Sequence, residues 1–359
     1  MSVAALMAST GGAAAPVSTT KNLVVASLNA TPFIRVWPFD STAGTPWGNR
    51  WSDPTQLPLA GINIDYGKSA AEYSIAMAVG SSPFQSGYTV TPPTNPTSFL
   101  TRLNNTQTIG NYGSVVKFSP SFKTVFSAVN GTPFVAAWPW SPGYGTKYAN
   151  PDITGLATSV ALAVSPDGTV VVVGMNVSPW IAAWKWNDVT GWGARYANLN
   201  IGLAATTGIA FSPSGKYFLI SVGNTGSSLR AAAYNWSNDT GFGSLAYSAA
   251  TPPPAYSGQI AFSPNGKTVA FGLNSSPNLC VYPWDDATGF GTEYTRIAAT
   301  GGVGVVGWSG DGSQIITSRS STPFIISFPF TEGVGMGTVN TTAVGGSGIT
   351  GLAVIQNIP

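Results

Sequence analysis

The chain has 359 residues, of which only 15 are Lys or Arg and 13 are Asp or Glu, about a third of the charge content usual for a soluble domain. Aromatic residues at 12%, with 12 Trp, exclude a disordered chain, and apolar runs of about eight residues are too short for a membrane helix. A net charge of +2 without a basic block gives no footprint for nucleic acid, and zero His with one Cys excludes a disulfide framework, a thiolate zinc site, a Ser-His-Asp triad and a Cys-His dyad.

Residues 1–20 are rich in Ala, Gly, Ser and Thr and carry no charged side chain. A secretory signal needs a basic start, and the first cation is Lys21, so no cleaved signal is expected. In water such an arm orders only when docked, either on its own domain or on a neighbouring subunit.

From residue 21 onward the chain repeats itself. The segments TPFIRVWPF (31–39), SPFQSGYTV (82–90), TPFVAAWPW (132–140), SPWIAAWKW (178–186), SLRAAAYNW (228–236), SPNLCVYPW (276–284) and TPFIISFPF (322–330) share one pattern. Their anchoring aromatics are Trp37, Tyr88, Trp138, Trp184, Tyr234, Tyr282 and Phe328, spaced 46 to 51 residues apart. Upstream stand KFSPSFK (117–123), AVSPDGT (163–169), AFSPSGK (210–216), AFSPNGK (261–267) and GWSGDGS (307–313), each a tight turn between apolar stretches. Downstream come GxG turns such as TGWGARYANL (190–199) and TGFGTEYT (288–295). Four short strands per unit of this length make the blade of a β-propeller.

The expected fold is therefore all-β: a single seven-bladed β-propeller of four-stranded blades over 21–359, preceded by the arm 1–20. The first copy lacks a leading strand, and the end of the chain supplies an orphan one, GITGLAVIQ (348–356). Pairing it with 21–28 closes the ring and removes a free edge. Blade two, about 57–108, is irregular: IDYGKS replaces the SPxG turn, and TPPTNPTSFLTRLNNTQT follows Tyr88. That stretch is either a functional loop or a tolerated insertion.

Candidate chemistry is sparse. Asp167 and Asp311 fall in first turns, and Asp188, Asp239, Asp285 and Asp286 just before GxG turns. Asp40, Asp53, Asp65, Asp152 and Glu332 are read at strand ends or turns, leaving Glu72 and Glu293 on strand-like stretches of different blades. Carboxylate catalysis needs a facing pair, which only acids of different blades could form, and turn chemistry accounts for nearly every acid without it. The first strands offer only Lys117 as a charge, beside Ala163, Ala210, Ala261 and Ala353, small residues that suit a crowded inner taper. Asp285-Asp286 reads as a solvated turn, Cys280 as a buried small hydrophobe, and Asn29, Asn130, Asn176 and Asn274 as turn residues. The expectation is no catalytic residue, no cofactor, no metal, no nucleic-acid partner and no membrane insertion. Tyr144, Trp192, Phe242 and Phe290, flanked by glycines in the GxG turns, either tuck under the next blade or form an apolar interaction rim.

The SPxGK turn and the four-stranded unit resemble the WD40-like propeller superfamily, without its Trp-Asp and Gly-His signatures. SPDGT (165–169) resembles part of the Asp-box of sialidase propellers, but the following Gly and aromatic are misplaced and no arginine cluster accompanies it. The fuller unit, PFxxxWPW followed by GFGTKYANP, resembles repeat proteins of tailed bacteriophages. That resemblance implies a non-enzymatic virion protein (decoration, fibre or tail-associated) located in the virion. It would dock to other virion structural proteins through residues 1–20 and present loops, the 91–113 insertion among them, to a host surface glycan or receptor. A bacterial lectin-like or scaffold binding propeller is the alternative.

Overall fold

The computed structural model describes residues 22–51, 60–68, 73–90, 100–103, 105, 109–199, 205–223, 228–255, 257–297, 302–341 and 348–356. The arm 1–20, Glu72, and most of the 91–113 insertion lie outside them.

Seven antiparallel sheets form seven blades. Blade one is built from Ile349–Gln356, Asn22–Leu28 and Ile34–Phe39. Blade two comprises Gly61–Lys68, Tyr73–Val79, Gln85–Val90 and Leu100–Leu103, and blade three Gly113–Phe118, Thr124–Val129 and Val135–Pro139. Blade four comprises Ser159–Val164, Val170–Met175, Ile181–Asn187 and Gly191–Arg195. Blade five comprises Thr206–Phe211, Tyr217–Val222, Ala232–Ser237 and Gly241–Ser248. Blade six comprises Ser257–Phe262, Thr268–Leu273, Leu279–Asp285 and Gly289–Phe290. Blade seven comprises Gly302–Trp308, Gln314–Arg319, Ile325–Thr331 and Gly335–Met336. In blades one and three the fourth strand shrinks to single bridges, Phe39 with Trp47 and Trp140 with Tyr144.

The ring closes as the orphan strand requires. Ile349–Gln356 pairs antiparallel with Asn22–Leu28, from Asn22 opposite Gln356 to Leu28 opposite Ile349. Because each blade is pressed between two others, its second strand is apolar on both faces, and Val170–Met175 is buried throughout. Between blades these side chains form a circle of apolar cores: Val25 with Ile75, Ala78 with Val116, Phe126 with Leu162, Val172 with Ile220, Leu219 with Phe271, Ala270 with Ile315, and Ile316 with Val24 each share one.

The SPxG turns do more than reverse the chain. The turn glycines Gly168, Gly215, Gly266 and Gly312 all sit at φ of 72–73°, where a side chain would be strained. Each lies beside the proline of the preceding blade's turn: Pro120, Pro166, Pro213 and Pro264. The turn acids and amides clasp neighbouring blades. Thr124 Oγ1 and Ser121 Oγ donate to Asp188, Asn238 Nδ2 donates to Asp167 Oδ2 at 2.6 Å, and Ser41 Oγ donates to Asp311 Oδ2 at 2.7 Å. The same carboxylates cap their own turns, as when Ser165 Oγ and Thr169 N donate to Asp167 Oδ1 at 2.5 and 3.0 Å. These acids are inter-blade acceptors, a role that turn chemistry alone does not reveal.

Candidate functional site

The seven innermost strands surround an axial channel. Each of the six from blades two to seven carries a register shift near its start, a bulge that bends the strand along the taper. An innermost strand is a sheet edge, so its outward N–H groups need acceptors from the preceding blade. Three polar side chains supply them. Asn63 Oδ1 accepts from Val116 N at 3.1 Å, Asp65 Oδ2 from Phe118 N at 2.8 Å, and Gln259 Oε1 from Val306 N at 3.1 Å.

Two cavities share the axis. One, of about 220 Å³, is lined by Asn63, Ser114, Lys117, Gln259 and Thr350 among others. The second, of about 270 Å³, opens at the SPxG face and is lined by Asp65, Lys117, Phe118, Phe122 and Phe211 among others. Lys117, Leu162, Ile209 and Ile260 border both and so divide the channel. Across this divide Lys117 Nζ approaches Asp65 Oδ1 at 3.4 Å, both side chains being partly exposed. Among the described lining residues these two alone carry charge.

The hydrogen bonds fix which way the amides point. Only oxygen can accept from Val116 N and Val306 N, so the amino ends of Asn63 and Gln259 are the atoms left for the cavity. Thr350 Oγ1 gives its proton to Gly61 O at 2.7 Å, and Ser114 Oγ donates to Ser159 O. The cavity of about 220 Å³ thus offers two amide NH2 groups and the Lys117 ammonium, a set of donors suited to oxyanion or carbonyl oxygens.

Sequence reading placed Asp65 at a strand end or turn; it lies instead inside the strand Gly61–Lys68, facing the axis with Asn63 two residues before it. The first strands therefore carry an acid beside Lys117, and the confinement of acids to turns fails here. The period-2 order of INIDYGK was the available signal, masked by the missing SPxG turn. Ala163 and Ala210 do line the tapering mouth.

The other candidates have structural partners. Trp192, Phe242 and Phe290 lie on the outermost strands of their blades, not in turns, and Tyr144 sits at a bridge. Each stands opposite the second aromatic of the third strand, Trp140–Tyr144, Trp186–Trp192, Trp236–Phe242 and Trp284–Phe290, with edge-to-face centroids 5.0–5.1 Å apart. Cys280 is fully buried, and burial followed by the adjacent Glu293 pushes its thiol up, so it is unreactive. Glu293 itself receives Arg296 Nε and Nη2 at 2.6 and 2.7 Å. Asp286 Oδ1 accepts from Trp284 Nε1 at 3.0 Å. Among the described residues no group of three His, Cys, Asp or Glu converges on one point.

No protein-family model and no curated protein matches the sequence. Solved structures do match. A Bacteroides fragilis protein designated a candidate 6-phosphogluconolactonase covers 95% of this chain and 100% of its own, with TM-score 0.72 and 13% identity. The periplasmic gluconolactonase of Pseudomonas aeruginosa covers 94% and 99%, with TM-score 0.71 and 12% identity. A chain of a mitotic checkpoint complex covers 84% and 87%, with TM-score 0.57 and 14% identity. The chain is a seven-bladed β-propeller. At these identities the likeness establishes the fold. The expectation of a non-enzymatic virion protein, with a lectin-like or scaffold propeller as its alternative, is corrected here: propellers matching nearly the whole chain are described as lactonases, and Asp65, read at a strand end or turn, faces the channel.

Proposed function

We propose that the axial channel binds a small polyhydroxylated lactone and hydrolyses it. The observation that carries this reading is the Lys117–Asp65 pair at the channel's divide, beside amide donors whose orientation the backbone fixes. Lactone-acting propellers among the structural matches support the choice of substrate.

In the step proposed, a water oxygen bonds to the lactone carbonyl carbon while its proton passes to the Asp65 carboxylate. The Lys117 ammonium faces the oxyanion that forms, a donor already oriented before reaction. Collapse breaks the ring C–O bond, and Asp65 returns the proton to the departing ring oxygen. The product is the hydroxy acid, whose carboxylate meets the same donors: Lys117 Nζ, Asn63 Nδ2 and Gln259 Nε2.

The test is the rate of glucono-1,5-lactone hydrolysis above its spontaneous rate. Asp65→Asn keeps an oxygen acceptor for Phe118 N but removes the base, and a loss of about 10²-fold or more is expected. Wild-type protein that leaves the spontaneous rate unchanged, with this lactone and with 6-phosphoglucono-1,5-lactone, refutes the proposal.

A further inference from the structure

Three departures from the repeat meet at one place, the junction of blades two and three on the SPxG face. Blade two has no SPxG turn, so no proline lies beside the turn of blade three. In that turn Phe122 stands where the other four turns have glycine, and it keeps the left-handed backbone at φ 55°. Two residues beyond Trp140, where other blades place Asp188, Asn238, Asp286 or Glu332, stands Pro142, which offers no side-chain acceptor. Without the proline and the clasp, the described residues leave space at this junction. A cavity of about 330 Å³ results, lined by Gly67, Phe118, Phe122, Trp140 and the hydroxyl-bearing Ser74 and Ser121 among others.

We infer that this groove is a subsite for a second sugar ring of the channel's substrate. Phe118 and Phe122 border both the groove and the axial mouth, so the two spaces adjoin across their rings. Phe118 meets Phe122 at 6.3 Å and Trp140 at 5.2 Å, both edge-to-face, giving a wall of aromatic surface against which the C–H face of a pyranose packs. Ser121, Ser141 and Lys123 are exposed and line the groove with polar groups. Lys123 is the sole charge of the described lining, which fits a neutral ring. The volume lies in the range of small-ligand sites. Gly67 has the same logic, since a Cβ there would come within 2.7 Å of the Phe122 ring.

The inference rests on the channel being a substrate site, and Phe122→Gly separates the two. That variant restores the residue the other four turns use, so it folds and removes only the ring. Wild-type protein is expected to prefer cellobiono-1,5-lactone to glucono-1,5-lactone in kcat/KM, and Phe122→Gly to remove most of that preference, lowering the first about tenfold more than the second. Equal loss on both lactones, or loss on neither, overturns the subsite. Cellobiose titrated against tryptophan fluorescence reads the groove without turnover: saturable binding weakened by Phe122→Gly supports it even if no lactone is hydrolysed. No binding to the wild type, or binding only after residues 1–20 are deleted, overturns it, the latter by giving the groove to the chain's own arm.

Discussion

Lys117 and Asp65 belong to neighbouring blades, and their side chains meet 3.4 Å apart on the axis while Asp65 also accepts from Phe118 N. One carboxylate thus ties two edge strands together and holds a cation at the channel's divide. Lys117→Met keeps the length of the side chain but removes its charge. It should reduce lactone turnover at least tenfold while leaving the circular dichroism spectrum unchanged, because a partly exposed pair contributes little to stability. Turnover equal to the wild type would remove Lys117 from the chemistry.

The seam makes a separate prediction. Deleting residues 349–359 strips Asn22–Leu28 of its partner and bares the axial edge of blade one. Unpaired edges template association, so size-exclusion chromatography should show oligomers or aggregate, with a lower unfolding temperature. A truncated chain that remains monomeric and equally heat-resistant would contradict this closure.

Asp188 accepts from Ser121, Thr124 and Trp186, spanning blades three and four. Asp188→Ala leaves three donors without an acceptor and should cost about 1–3 kcal/mol in denaturant unfolding. Asp239→Ala, at an exposed position of the next blade's turn, should cost about 0.5 kcal/mol or less. Equal effects for the two would show that the clasp adds nothing.

The clasps also set the acid limit. Burial by itself would raise the Asp311 carboxyl, but hydrogen bonds from Ser309, Ser41 and Ser313 outweigh it and hold it at about 2. Asp167 is lowered in the same way by Ser165, Thr169 and Asn238 against the opposing effect of burial. A carboxyl depressed in the folded state contributes stability above its unfolded value of about 3.9, and that contribution is lost as pH falls through the folded value. The unfolding midpoint should drop between about pH 4 and 2, and drop less in Asp311→Asn. An Asp311→Asn variant with the wild-type acid profile would contradict the assignment.

The ring was legible because its signal is local and repeated. Trp138, Trp184 and their counterparts recur at blade spacing, and the orphan strand 348–356 announces the closure. Asp65 was not legible because its own blade lacks the turn that marks where a first strand ends. The clasps were hidden for another reason. Asp167 and Asn238 are 71 residues apart, and their bond depends on how neighbouring blades dock, which no local pattern encodes. Trp192 and Phe242 look like turn residues because glycines flank them, yet each is the cross-strand partner of a tryptophan.

The channel is tested most directly by titrating D-gluconate, the hydrolysis product, into wild-type, Asn63→Asp and Gln259→Glu protein by calorimetry. Both substitutions preserve the oxygen that accepts from Val116 N or Val306 N and replace the amino group facing the cavity with a carboxylate oxygen. Saturable binding to the wild type, lowered at least tenfold in each variant at unchanged unfolding temperature, is the expected result. No binding to the wild type, or equal binding by all three proteins, would contradict a ligand site on the axis.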